Sequence, residues 1–146
     1  MIRQLHLDAI LRVLRYLKGS PGQGILLWSD SSLQLFAYCN SDLAACPMTH
    51  RSLTAYFVQL GSSPISWKTK KQAIVARSSM EAEYLAMVVI TCELTWLKSF
   101  ISSLGIFHTQ PMRLFCDNQV ALHIASNPVF YERTKHIKVD CHYVCE

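Results

Sequence analysis

An α/β fold, with a mixed sheet packed by helices, is what the order of elements in this sequence predicts. Three observations carry the prediction. Alternating, β-rich runs at 33–40, 53–60 and 65–68 follow one another through turns, as hairpin-connected strands do. A single long amphipathic helix follows, at 80–104. Beyond it lies one more short strand-like run, 112–116, which a helical crossover returns to the same sheet.

Taken in order, residues 5–18 carry Leu7, Ile10, Leu11, Leu14 and Leu17 at helical spacing, with Arg12, Arg15 and Lys18 on other faces. Gly19-Ser20-Pro21-Gly22 stops this helix. Residues 25–28 are a short apolar strand candidate, and Asp30-Ser31-Ser32 forms a turn. In the run 33–40, Leu33, Leu35, Ala37 and Cys39 fall on one face, and Gln34, Phe36, Tyr38 and Asn40 on the other. Residues 44–51 contain Pro47 and read as loop. The runs 53–60 and 65–68 pair about Gly61-Ser62-Ser63-Pro64, and a further strand near 72–76 leads into the long helix.

The long helix has a marked start. Ser78 followed three residues later by Glu81 fits a capping box. From there Met80, Tyr84, Met87, Val88, Leu94, Leu97, Ile101 and Leu104 recur at helical spacing, and Gly105 is a natural stop. Glu81 and Glu83 project about 200° apart. If Glu81 caps, Glu83 is free for another role; the plainer alternative is that both acids complement the helix dipole. The run 112–116 ends in Asp117-Asn118, a second helix spans 119–126, and Asn127-Pro128 closes it. Residues 129–136 read as loop and 137–143 are compatible with a helix.

The 146 residues suffice for one domain with a core, and a composition 51% apolar and 16% charged is that of a globular chain. No run of eighteen apolar residues occurs, so no membrane partner is expected, and His6, Asp8 and Arg12 interrupt any signal-peptide core. A net charge of +4 permits a polyanionic partner without requiring one. None of the six cysteines forms a Cys-x-x-Cys pair, and free thiols are expected. His136, Cys141, His142 and Cys145 match no standard zinc spacing.

Three acids stand at element ends: Asp42, Glu83 and Asp117. Carboxylates gathered at such places can hold two divalent cations that clamp the attacking water and the leaving oxygen of a phosphodiester. Magnesium, a hard ion, suits oxygen donors, and without a cation the carboxylates repel one another. Acids after strands are also ordinary turn residues. Lys68, Lys70, Lys71 and Arg77 form a basic stretch beside Trp67, which suits a phosphate backbone; the alternative is a solvated hairpin end.

These residues carry a resemblance. Ile65-Ser66-Trp67-Lys68-Thr69-Lys70-Lys71-Gln72, Arg77-Ser78-Ser79-Met80-Glu81-Ala82-Glu83-Tyr84, Cys116-Asp117-Asn118 and the run from Asn127-Pro128 to His136-Ile137 together resemble the RNase H domain of copia-type LTR retrotransposon Pol polyproteins. Leu11-Arg12-Val13-Leu14-Arg15-Tyr16-Leu17-Lys18-Gly19 resembles the segment joining reverse transcriptase to that domain. The resemblance covers nearly the whole chain. It implies residues 1–23 as a helical connection and 24–146 as an RNase H-like mixed sheet flanked by helices. It also implies an intracellular setting: the cytoplasm, a virus-like particle or the nucleus. Enzymes of this family cut the RNA strand of an RNA–DNA hybrid with two Mg²⁺ ions held by four carboxylates. Glu83, followed by Tyr84 and Ala86, matches the family's metal-binding glutamate, and Asp117 matches the aspartate ending the fourth strand.

Two positions depart from the family. Its first-strand signature is Asp-x-Asp followed by tryptophan, whereas this chain reads Asn40-Ser41-Asp42-Leu43-Ala44. Asn40 thus replaces the metal-bridging aspartate, and Asp42, about 7 Å further along an extended strand, is a weak substitute. The fourth carboxylate normally lies on a final helix beyond a fifth strand, and Asp140 is a poor replacement for it. The expectation is a domain lacking that strand and helix, with weakened magnesium binding and little or no hydrolysis.

Overall fold

A computed structural model describes residues 4–126. Everything expected of 127–146, including the 137–143 helix, Asp140 and the His/Cys tail, lies outside the described residues. The elements run α1 (Gln4–Gly19), β1 (Leu35–Asp42), β2 (Leu53–Leu60), β3 (Ser63–Lys71), α2 (Ser79–Ser103), β4 (Arg113–Cys116) and α3 (Gln119–Ser126). The four strands form one sheet in the order β3-β2-β1-β4. β1 pairs antiparallel with β2 and β2 with β3, while β4 returns parallel to β1. This is the mixed sheet with helices expected of an RNase H-like α/β fold.

Alternation in the strands builds the core. Leu35, Ala37 and Cys39 of β1 and Tyr56 and Val58 of β2 point to one face and are buried. α2 lies on that face through Ala86, Met87, Ile90, Leu94, Leu97 and Ile101. Its length and composition alone would suit a membrane span, but these apolar residues are the ones that cover the sheet. Tyr84 and Ile124 form a smaller cluster where α3 meets α2.

Local chemistry sets the ends of α2. Ser78 is the N-cap, in extended conformation, and its Oγ accepts from Glu81 N. The Glu81 carboxylate accepts from Arg77 N at 2.7 Å, one residue before the position a strict capping box would use. At the other end, Gly105 has φ +82°, Gly105 N donates to Ser102 O, and Ile106 N donates to Ile101 O. That pair of bonds is a Schellman closure.

Two expected strands do not form. Residues 25–28 are irregular, with Trp28 N held by Ser63 Oγ at 2.9 Å. β3 runs on to Lys71, and the chain then leaves the sheet, because the Gln72 amide turns inward to donate to Ala82 O and Thr54 Oγ1, both at 2.9 Å. β1 begins at Leu35 rather than Leu33 and extends through Asp42, which pairs with Leu53. The β2–β3 turn is two residues, Gly61-Ser62, with Gly61 at φ +58° and Gly61 N donating to Gln34 O. α1 has no buried residue, so its apolar stripe faces outward.

Candidate metal centre

The parallel pairing of β1 with β4 creates the site. Cys39, within β1, and Cys116, at the end of β4, are register partners, and Asn40 and Asp117 are the next residues along each chain segment. α2 crosses beneath with Glu83 in its first two turns. Glu83 Oε1 accepts from Ser41 N at 2.9 Å, and its Oε2 lies 3.9 Å from Cys116 Sγ. Ligand atoms of Glu83, Cys116 and Asp117 all lie within 4.8 Å of one another. Glu83 is buried, Cys116 half-buried and Asp117 exposed, so the group opens to solvent on the Asp117 side.

Glu81 and Glu83 have separate tasks, as the helical angle between them requires: one binds backbone at the helix start, the other faces the strand ends. Asn40 is exposed and alternates away from Cys39, onto the face of β1 that α2 does not cover. Asp42 stands exposed at the far end of β1, two residues further along. The structure therefore brings Glu83 and Asp117 together, in a group to which Asp42 does not belong.

Cys116 is the group that the sequence reading did not place there. Its signal was present: in the run 112–116 it shares a face with Leu114, next to Asp117. Only the parallel register shows that this face meets Glu83. Cys39 lies behind it, buried, with Sγ 3.9 Å from Phe115 O. The four cysteines among the described residues are free thiols.

Burial dominates the electrostatics. It pushes the Glu83 carboxyl above the usual range and Asp117 adds repulsion, while the Ser41 N–H and the Cys116 thiol pull the other way. Burial also raises the Cys116 and Cys39 thiols. A pair of Mg²⁺ ions asks for a set of hard, charged oxygen donors. Among the described residues this place offers two carboxylates, a thiol and a nearby neutral amide, a set that does not fit two magnesium ions.

The basic residues divide. Lys68 and Lys70 pair with Tyr56 and Thr54, whose side chains point toward α2, and line a groove there with Val89 and Glu93. Lys70 and Lys71 line an adjoining groove with Arg51, which the sequence reading passed over. Trp67 pairs with Phe57 and leaves the sheet on the opposite face. Lys71 Nζ donates to Cys46 Sγ at 3.0 Å and, with Thr49, lowers that thiol to about 6. Arg77 is exposed just before the N-cap.

No protein-family model matches the chain. Among curated proteins it is 44% identical over 139 residues, 95% of its length, to the retrovirus-related Pol polyprotein from transposon RE1 of Arabidopsis thaliana. It has the same identity and coverage to the RE2 polyprotein of that plant. To the polyprotein from transposon TNT 1-94 of Nicotiana tabacum it is 36% identical over 97% of its length. The chain spans about a tenth of the length of each of these relatives. Over nearly its whole extent, then, it is homologous to one segment of the retrovirus-related Pol polyproteins of plant transposons.

Proposed function

We propose that this chain is the RNase H-like domain of a copia-type retrotransposon Pol polyprotein, with residues 1–23 as its connection from the reverse transcriptase region. Its lineage cleaves the RNA strand of RNA–DNA hybrids, and this copy hydrolyses them weakly or not at all. One observation supports the reading above the rest. Glu83 and Asp117 gather at the ends of β1 and β4, where the family's metal ligands belong, while the neighbouring β1 position holds neutral Asn40. An amide carries no charge to help strip a hard dication of its water, so magnesium retention falls and the electrostatic part of the rate falls with it.

The test is hybrid cleavage by the full chain in Mg²⁺ or Mn²⁺. Expected is no cleavage above background. Turnover that Glu83→Gln abolishes would overturn the claim of inactivity and leave the lineage standing.

A second reading, nucleic-acid binding without catalysis, is favoured by the grooves that Arg51, Lys68, Lys70 and Lys71 line on the α2 side of β3. Arg77 adds a further exposed cation. On this reading, binding of a hybrid weakens steeply with salt as counterions return to the phosphates. Binding indifferent to salt excludes it.

A further inference from the structure

Two apolar surfaces of this chain lack a cover among the described residues. One is the sheet face away from α2. Trp67, Phe57, Tyr38 and Phe115 are register partners in turn, so aromatic rings cross all four strands in a row. Tyr38 stacks on Phe115, and the two rings cover each other's inner faces. What remains is an apolar ridge, which suits aliphatic side chains better than flat bases. The other surface is α1. Leu7, Ile10, Leu11, Leu14 and Leu17 form its stripe, and none of them is buried. A helix of this length is marginal in water unless such a stripe is packed. Its own sheet does not pack it. Ser20 N on Leu17 O, Gln23 N on Ser20 O and Tyr16 Oη on Gln23 Oε1 close the exit from the helix, and Trp28 N on Ser63 Oγ then ties the chain to the sheet.

We propose that these surfaces join between two copies of the chain, the α1 stripe of each lying on the aromatic row of the other. They match in extent. Three inter-strand spacings make the row about 14 Å long. Ten residues of helical rise make the stripe about 15 Å long. The area is also sufficient. Trp67, Tyr38, Phe115 and the five stripe residues are each roughly half exposed. With roughly 150–250 Å² on each large side chain, one helix-on-row contact covers about 800 Å² and the reciprocal pair about 1,600 Å², the size of a standard interface. Reciprocal contact closes on a two-fold axis and leaves neither surface over. Arg12 and Arg15 lie on other faces of α1 and stay in water. A contact between ridges, without a deep anchoring pocket, falls at the weak, micromolar end of what such an area gives. A dilute copy therefore keeps its row open. The pairing needs neither a metal nor the nuclease lineage.

The test is sedimentation velocity of the full chain from about 1 to 200 µM, with hydroxyl-radical footprinting of single side chains at both ends of that range. Expected is the mass of one copy at the low end and of two at the high end. Oxidation of Trp67, Tyr38 and Phe115 and of the α1 leucines should fall together, roughly threefold, as the pair forms. Leu14→Glu on the stripe and Trp67→Ser on the row should each weaken pairing about tenfold or more, and Arg12→Glu should leave it unchanged. Leu14 and Trp67 are exposed, and circular dichroism confirms that each variant is folded. The mass of one copy throughout overturns the proposal, whether the row is open or is shielded by other residues of its own chain. So does a mass that grows past two copies, or pairing that survives Leu14→Glu. Pairing that shields the row or the stripe but not both, as row-on-row or helix-on-helix contact would, overturns it as well.

Discussion

The two faces of the sheet obey the same alternation and end in opposite states. On one, Leu35, Ala37, Cys39, Tyr56 and Val58 disappear under α2. On the other, Trp67, Phe57, Tyr38 and Phe115 are successive register partners across all four strands, an aromatic row from one edge to the other. Tyr38 stacks on Phe115 with ring centroids 5.1 Å apart and tilts against Phe57 at 6.4 Å. Yet Trp67, Tyr38 and Phe115 are 56%, 43% and 44% exposed. The contrast teaches that period-two patterning decides which side chains share a face, whereas burial requires a second element to lie on it. α2 supplies that element for the first face. No described element supplies it for the second.

Substitutions on the two faces test this difference. The largest effect belongs under α2. Ile90 is wholly buried there, and Ile90→Ala should cost about 2–5 kcal/mol in urea unfolding, as a cavity in a packed core does. A loss below about 1 kcal/mol would mean that α2 is loosely seated.

Next is the turn that sets the register of both faces. An added Cβ at Gly61 would collide with the Ser31 hydroxyl and come 2.9 Å from Ser32 N, at a φ of +58° that side chains disfavour. Gly61→Ala should destabilise by about 1–3 kcal/mol, read in the same unfolding experiment.

Among the described residues Glu83 is the charged group that is buried, and its effect carries a sign. Burial holds its carboxyl above the ordinary carboxylate range, so the folded chain takes up a proton there more readily than the unfolded one. The stability it contributes is fully present below the unfolded value and is lost as pH rises through the folded one. Glu83→Gln keeps an acceptor for the Ser41 N–H and removes the buried charge. It should raise stability at neutral pH, with the gain fading as pH falls into the ordinary carboxylate range, read by urea unfolding across pH. Destabilisation at neutral pH would show that the carboxylate already meets a cation.

The smallest effect belongs to the open face. Trp67→Ala should change stability by less than about 0.5 kcal/mol, since an exposed side chain leaves no cavity. A cost comparable to that of Ile90→Ala would show that the aromatic row is covered in solution.

Much of this was legible in the chain. The start of α2 at Ser78, its stop at Gly105, the bounds of α3 and the alternation of β1 all follow from caps and periodicity, which are local. The strands expected at 25–28 and 72–76 failed for a reason that no local pattern carries. Gln72 is claimed by Thr54 and Ala82, and Trp28 N by Ser63. The pairing of Glu83 with Asp117 was anticipated from motifs. The thiol between them was not, because its place depends on the parallel register of β4 with β1.

Where helices begin and end, which side chains share a strand face, and that an amide stands at position 40 are written in the chain itself. These are settled within a few residues of backbone, where capping bonds and side-chain period act. The folded structure alone shows that Cys116 faces Glu83, that Lys68 and Lys70 lie on the side of the sheet toward α2, and that one apolar face is covered while the other is open. Each of those depends on contacts between segments tens of residues apart, whose register and packing no short stretch of sequence encodes.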